Sequence, residues 1–214
     1  MILLQEFVDS NSSIDMIVEE TGGKKDLYIK GIFAEAELKN RNGRVYPKDV
    51  MKSAIDKYKE EYVLKGRAIS ELSHPDGRPQ PKPEFASHLV TELNMDGNTV
   101  YGKAKILNTP NGNILKGLLE GGVKFGVSTR GLGSISERAG TRYVCSDYVI
   151  TAIDAVTDPS SINAFVDAVN ESQEWLITDD GRIIESIKKE IKKNKLTEER
   201  RLQLIQNFLL SIRG

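Results

Sequence analysis

Apolar residues along this chain recur at two spacings, and the switches between them outline the elements. Leu27-Tyr28-Ile29-Lys30-Gly31-Ile32-Phe33 reads as a strand, with Ala34 to Leu38 as its extension. From Pro47 to Lys65 the spacing lengthens, and Val50, Ala54, Ile55 and Tyr58 form one face of a helix. Arg67 to Leu72 is extended again and stops at Ser73-His74-Pro75, because proline has no amide to give to a ladder. Ser87 to Met95 and Thr99 to Leu107 alternate about Asp96-Gly97-Asn98, which predicts a hairpin. Thr109-Pro110 opens a short helix with Ile114, Leu115, Leu118 and Leu119 as its buried stripe, and Gly121-Gly122 closes it. Val123 to Thr129 is then a strand that breaks into a glycine loop at Gly131 and Gly133, and Tyr143–Cys145 and Tyr148–Val156 are further strands. Beyond Val169 the character changes: an apolar stretch at 173–178 precedes two predicted amphipathic helices, 182–193 and 197–213.

These elements predict an α+β protein, a compact and mostly antiparallel β-barrel or sandwich with helices packed outside. The expected organisation is a flexible arm over 1–25, one folded domain over 26–169 and a helical tail over 170–214. The 214 residues, 39% of them hydrophobic, suffice for one substantial core. With 30 basic against 31 acidic side chains the net charge is −1, so no global field recruits nucleic acid or an anionic membrane. One cysteine, Cys145, excludes an internal disulfide and fits a reducing compartment. No apolar run nears the roughly 20 residues that span a bilayer. The opening Met1-Ile2-Leu3-Leu4-Gln5-Glu6 lacks a basic leader, so a soluble intracellular protein is expected.

Only two histidines are present, and His74 stands at a strand end beside a proline-rich loop. Ser128 stands near another strand end, ahead of the glycines at 131 and 133. A histidine can take the proton of a serine hydroxyl and return it to a leaving amine. With an acid such as Asp154 from a third strand, the set would make a hydrolytic triad, and the backbone amides of Arg130 and Gly131 would hold the oxyanion. Asp158 and Glu71 are the next acids in line. His88 is expected on a strand surface, and Cys145 as a packed thiol. No His/Cys cluster has zinc spacing and no glycine-rich loop precedes Lys-Ser/Thr, so neither metal nor nucleotide cofactor is expected.

Several stretches stand together as a set: Leu27-Tyr28-Ile29 with Gly31-Ile32-Phe33, Ala36-Glu37, Asn40-Arg41-Asn42, Arg44 and Tyr46-Pro47, then Glu71-Leu72 with His74-Pro75. Val100-Tyr101-Gly102, Gly126-Val127-Ser128 with Arg130-Gly131-Leu132-Gly133-Ser134, and Asp154-Ala155-Val156 with Pro159-Ser160 follow in order. In this order and spacing they resemble the prohead core proteases of T-even-type tailed phages, and the resemblance covers roughly residues 26–168. It implies a serine endopeptidase, distantly similar to herpesvirus assemblin, that cuts scaffold or core proteins and the major capsid protein inside the immature capsid in the host cytoplasm. It carries the catalytic histidine and serine over to His74 and Ser128, and Asp154 is the favoured third member. Self-association is a further possibility, and a non-enzymatic scaffold or inner-core protein on the same fold is the alternative.

Such proteases are similar in cutting after a glutamate preceded two positions earlier by leucine or isoleucine. Triplets of that kind end at Glu6 and Glu19 in the predicted arm and at Glu185 and Glu198 in the predicted tail. Self-trimming is expected in the tail at Glu185 or Glu198, with Glu6 or Glu19 as the candidates in the arm, because chain ends expose extended backbone more readily than packed elements do.

Overall fold

The computed structural model of the protein describes residues 1–7, 15–21, 24–40, 42–75, 77–157, 174–177 and 183–186. Its elements, in chain order, are β1 (Ile2–Phe7), β2 (Asp15–Thr21), β3 (Lys24–Glu35), β4 (Arg44–Val45), α1 (Lys48–Tyr58) and β5 (Ile69–Glu71). Then come β6 (Ala86–Asp96), β7 (Thr99–Ile106), α2 (Pro110–Glu120), β8 (Phe125–Gly133), β9 (Ile135–Arg138) and β10 (Thr141–Val144). β11 (Val149–Thr157), β12 (Glu174–Ile177) and β13 (Ile183–Ser186) complete the set.

Two five-stranded antiparallel sheets carry the fold, ordered β2-β3-β7-β6-β5 and β11-β8-β1-β12-β13. A small third sheet, β4-β10-β9, contains the parallel pair β4–β10. The edge of one large sheet meets the edge of the other where Leu72, just past β5, bridges Ala155 of β11 in parallel. The Ser73 amide extends that seam by donating to the Ala155 carbonyl at 2.7 Å. A single core spans both sheets, with Leu4, Ile29, Phe33, Val90, Leu93, Val100, Val127 and Ile153 all essentially inaccessible. On β7 burial alternates as period-two patterning requires, whereas β8 and β11 are buried along almost their whole length.

The helix read from Pro47 to Lys65 is α-helical only as far as Tyr58 and continues through Lys59–Val63 as a wider π turn. Its buried stripe is Val50, Met51, Ala54, Ile55 and Tyr58, packed towards β11 and β6. At roughly 1.5–3 kcal/mol for each large side chain fully buried, the stripe is what holds α1 in place. α2 begins as its sequence signals predict: Pro110 fills the first turn and Thr109 Oγ1 accepts from the Gly112 amide at 3.1 Å. Its predicted stripe is only half realised. Leu115 is buried, whereas Ile114 is 51% and Leu118 37% exposed, because α2 leans on β6 and β7 along a narrow line. That line is tight at Gly112, where a Cβ would come within 1.9 Å of the Leu107 carbonyl oxygen.

Three expectations are corrected. The stretch 1–25 is no loose arm in its described part: β1 lies between β8 and β12, with Leu3 and Leu4 buried, and β2 pairs along β3. The strand that carries Ser128 does not break after Thr129 but runs to Gly133, paired with β1 on one side and β11 on the other. The helix predicted over 182–193 begins instead as strand β13, because Ile183 to Ser186 pair with β12. The helix predicted over 197–213 lies outside the described residues. The sheets do not close into a barrel among the described residues, and no described helix is long and apolar enough to cross a membrane.

Candidate active site

His74 follows β5 through one unusual residue. Ser73 has φ 66°, a left-handed conformation uncommon for a residue with a side chain. Its amide is tied to Ala155 at the sheet seam, so the chain reverses there and turns the next side chain back over β11. Pro75 then restricts His74 itself to extended backbone. The seam therefore fixes the imidazole relative to β11 before any side-chain contact is counted.

On β8 and β11 the register does the rest. Asp154 stands opposite Ser128 in an antiparallel pair, the arrangement in which directly opposed side chains are closest. His74 bridges to both. Its Nδ1 lies 2.7 Å from Asp154 Oδ2, and its Nε2 lies 2.5 Å from Ser128 Oγ. Ser128 and Asp154 are completely buried, and the His74 side chain is nearly so. A cleft of about 330 Å³ opens beside the imidazole, with Ser73, His74, Pro75, Arg78, Phe85 and Asn111 among its walls.

Asp154 receives more donors than a single histidine supplies. The Glu71 amide donates to Oδ1 at 2.9 Å, and the Arg130 guanidinium lies against both oxygens, NH2 at 3.1 Å from Oδ1 and Nε at 2.9 Å from Oδ2. Burial pushes the carboxyl up, but the Arg130 charge, the hydrogen bond and charge of His74 and the Glu71 amide outweigh it and hold Asp154 below its usual range. The group is therefore a carboxylate at neutral pH, as a partner for an imidazolium must be.

His88 is not on a strand surface. It is completely buried on β6, one nitrogen 2.8 Å from Ser87 Oγ and Nε2 donating to the Ile153 carbonyl at 2.9 Å. The Ile153 amide in turn donates to Ser70 Oγ at 3.1 Å, so both backbone polar groups of Ile153, next to Asp154, are held by side chains. Burial keeps the imidazole below its ordinary value of 6.5 despite the Ile153 carbonyl, so its neutral form is the folded one. The unfolded chain then binds a proton that the folded chain refuses. Stability should accordingly fall as pH drops from 6.5 towards the lower folded value. Melting temperatures measured between pH 7 and 5 should decline, and His88→Gln, which can still donate to Ile153, should flatten that decline. An unchanged slope in the folded variant would remove His88 as its source.

Arg130 and Gly131 lie in β8, opposite Gln5 and Leu4 of β1 and opposite Ala152 and Ile150 of β11. Both are paired on either side within the sheet rather than standing in a turn, and a Cβ at Gly131 would meet the Val149 carbonyl at 2.5 Å. Glycine is required there for sheet packing. Glu6 is paired with Thr129 in β1, Glu19 with Asp26 in β2 and Glu185 with Trp175 in β13. Glu19 also binds Lys103. Glu198 and Asp158 lie outside the described residues. Cys145 is half-buried, not a fully packed thiol. Two members of the site escaped the sequence reading in their present roles, the side chains of Arg130 and Glu71. The first had a signal: two residues beyond Ser128 on a strand means the same face.

The model of one family, described as prohead core protein serine protease, matches residues 5–174. The chain is 38% identical over 161 residues to the prohead core protein protease of Enterobacteria phage T4, covering 72% of this chain and 76% of that one. Its fold is similar to the solved structure of the bacteriophage T4 capsid assembly protease. The TM-score is 0.68 at 34% identity, over 74% of this chain and 98% of the other.

Proposed function

The chain belongs to the prohead core protein serine protease family, and from that premise we propose that it is the endopeptidase that cuts scaffold or core proteins and the major capsid protein inside the immature phage capsid, within the host cytoplasm. Ser128 attacks the scissile carbonyl while its proton passes to His74 Nε2. His74 returns that proton to the leaving amine, and water then releases the acyl group by the same route in reverse. Asp154 holds Nδ1–H towards itself, which leaves Nε2 as the base, and stabilises the cation that forms. The observation that carries this reading is the continuous chain Ser128 Oγ, His74 Nε2, His74 Nδ1, Asp154 Oδ2, with links of 2.5 and 2.7 Å. The non-enzymatic scaffold reading gains nothing from such a chain, since a scaffold has no use for a buried serine aimed at a histidine. A backbone oxyanion role for Arg130 and Gly131 is not carried forward, because both residues are paired on both sides. A fluorophosphonate probe, which reacts with activated serines, tests the assignment. Labelling should fall on the peptide that contains Ser128 and should disappear in His74→Ala. Labelling on another hydroxyl would overturn it.

Self-processing belongs to the same reading. A protease needs locally unfolded backbone, and strand pairing withholds it at Glu6, Glu19 and Glu185. Of these three, Glu185 lies on the edge strand β13, which pairs with β12 alone among the described residues, so the tail cut is assigned to Glu185 or to Glu198, which lies outside them. Mass spectrometry of active protein should find a new C-terminus at Glu185 or Glu198 that the Ser128→Ala protein lacks. A tail left whole in a demonstrably active preparation would sink this part alone.

A further inference from the structure

Ser128 and Arg130 are two residues apart on β8, and Asp154 opposes Ser128, so strand geometry puts all three on one face of the sheet. Arg130 is completely buried there. Besides its side-on contact with Asp154, its NH2 lies 3.1 Å from Glu71 Oε2 and its NH1 donates to the Arg78 carbonyl at 3.0 Å. Glu71 is 2% exposed. It takes two bonds from the Arg78 guanidinium, at 2.8 and 3.1 Å, and one from the Lys82 amide at 2.7 Å. Charges thus alternate away from the triad: Asp154, Arg130, Glu71, Arg78.

A buried arginine is costly to desolvate, and a backbone amide would orient a triad carboxylate at less expense. What the guanidinium adds is a rigid planar cation that bonds Oδ1 through NH2 and lies against Oδ2 through Nε. It also adds a difficulty, because an unopposed cation on Asp154 would cancel the charge that an imidazolium needs. Glu71 answers it by neutralising Arg130 from the far side. On the strength of the triad reading above, we propose that Arg130 and Glu71 are positioning residues for the reaction. Arg130 locks the rotamer that points Asp154 Oδ2 at His74, and Glu71 cancels the Arg130 charge so that the Asp154 charge stays available to the imidazolium.

The charged and titratable groups around this site are Glu71 and Arg78 from β5 and the loop after it, Arg130 from β8, Tyr58 from α1 and His88 from β6. Burial raises Tyr58 and lowers His88 from their usual ranges, so both stay uncharged through a neutral pH profile. The rising limb of kcat/KM against pH then reports the balance of the remaining groups.

Glu71→Gln keeps the shape and the hydrogen bond from the residue's backbone N–H to Asp154 but removes a negative charge, which disfavours the imidazolium. Its limb should move to lower pH. Arg130→Met removes a positive charge and should move the limb to higher pH. Arg130→Lys keeps the charge without the planar guanidinium, so its limb should stay while kcat falls, roughly 10–100-fold by analogy with outer-shell partners of metal ligands. A purely structural role would lower activity without opposite displacements. Cleavage of a peptide substrate is followed in each variant after a melting curve shows that it folds. If Arg130→Met does not fold, Glu71→Gln and Arg130→Lys decide. Wild-type kcat and limb in folded Arg130 variants, or an unmoved or upward limb in Glu71→Gln, would overturn the proposal. Activity retained by Ser128→Ala would instead overturn the triad itself.

Discussion

Ser128→Ala is expected to lose peptide hydrolysis by on the order of 10⁶-fold while keeping its fold. The hydroxyl is the nucleophile in the proposed reaction, and no described neighbour can replace it. Thr129 is next in sequence, but it lies opposite Ile153 and takes a hydrogen bond from the Tyr148 hydroxyl at 3.3 Å, so its side chain belongs to the other face of β8. Removing one small hydroxyl from a buried site costs about 1 kcal/mol, which a melting curve can bound. His74→Ala should cost about as much activity, and the double variant little more, because the two groups act on one proton. A double variant far worse than either single would mean that serine and histidine act independently. Turnover surviving in Ser128→Ala would remove the serine mechanism altogether.

Asp154→Asn should lower turnover by roughly 10⁴-fold, as expected for a triad acid. The carboxylate is approached by donors only: the Glu71 amide, the Arg130 guanidinium and His74 Nδ1. An asparagine must aim its own NH₂ at one of them. If it faces His74, the imidazole has to accept at Nδ1 and places its proton on Nε2, where Ser128 needs a base. If it faces Arg130, a buried guanidinium loses half its partner, and breaking a buried pair costs about 3–5 kcal/mol. A large loss of kcat and a lower melting temperature are therefore expected together. Below pH 4 the stability gap from wild type should narrow. Asp154 is held beneath its ordinary 3.8, and the stability it confers is lost as pH falls through that lower folded value. Full turnover in the asparagine variant would shift the role to Glu71, the other buried carboxylate beside the site.

How far the sequence discloses this site depends on the kind of information needed. His74 and Ser128 could be placed at strand ends because proline and glycine mark where extended chain is interrupted. The glycine mark misled at Gly131. There the residue is small because Val149 and Tyr148 press on the strand, and a pattern cannot tell a turn from a close approach. The pairing of Asp154 with Ser128 is a register between distant segments that no local spacing encodes. His88 was misplaced for a related reason: a histidine in alternation looks solvent-facing until its bonds to Ser87 and Ile153 are known. The arm was misjudged because Leu3 and Leu4 find their partners on strands far along the chain.

That last feature bears on timing. β1 pairs Leu3 with Leu132 and Leu4 with Gly131, a contact separated by most of the protein. Contacts of such range are slow to form, since closing the loop costs entropy before the contact repays it. During synthesis β1 has to wait, unpaired, until β8 has left the ribosome, and Asp154 follows later still. Hydrolytic competence on this fold is thus a late event in the life of each molecule. Until Asp154 and Ala155 have been made, His74 lacks both the carboxylate and the seam that orient it towards Ser128, so the order of the strands is itself a safeguard.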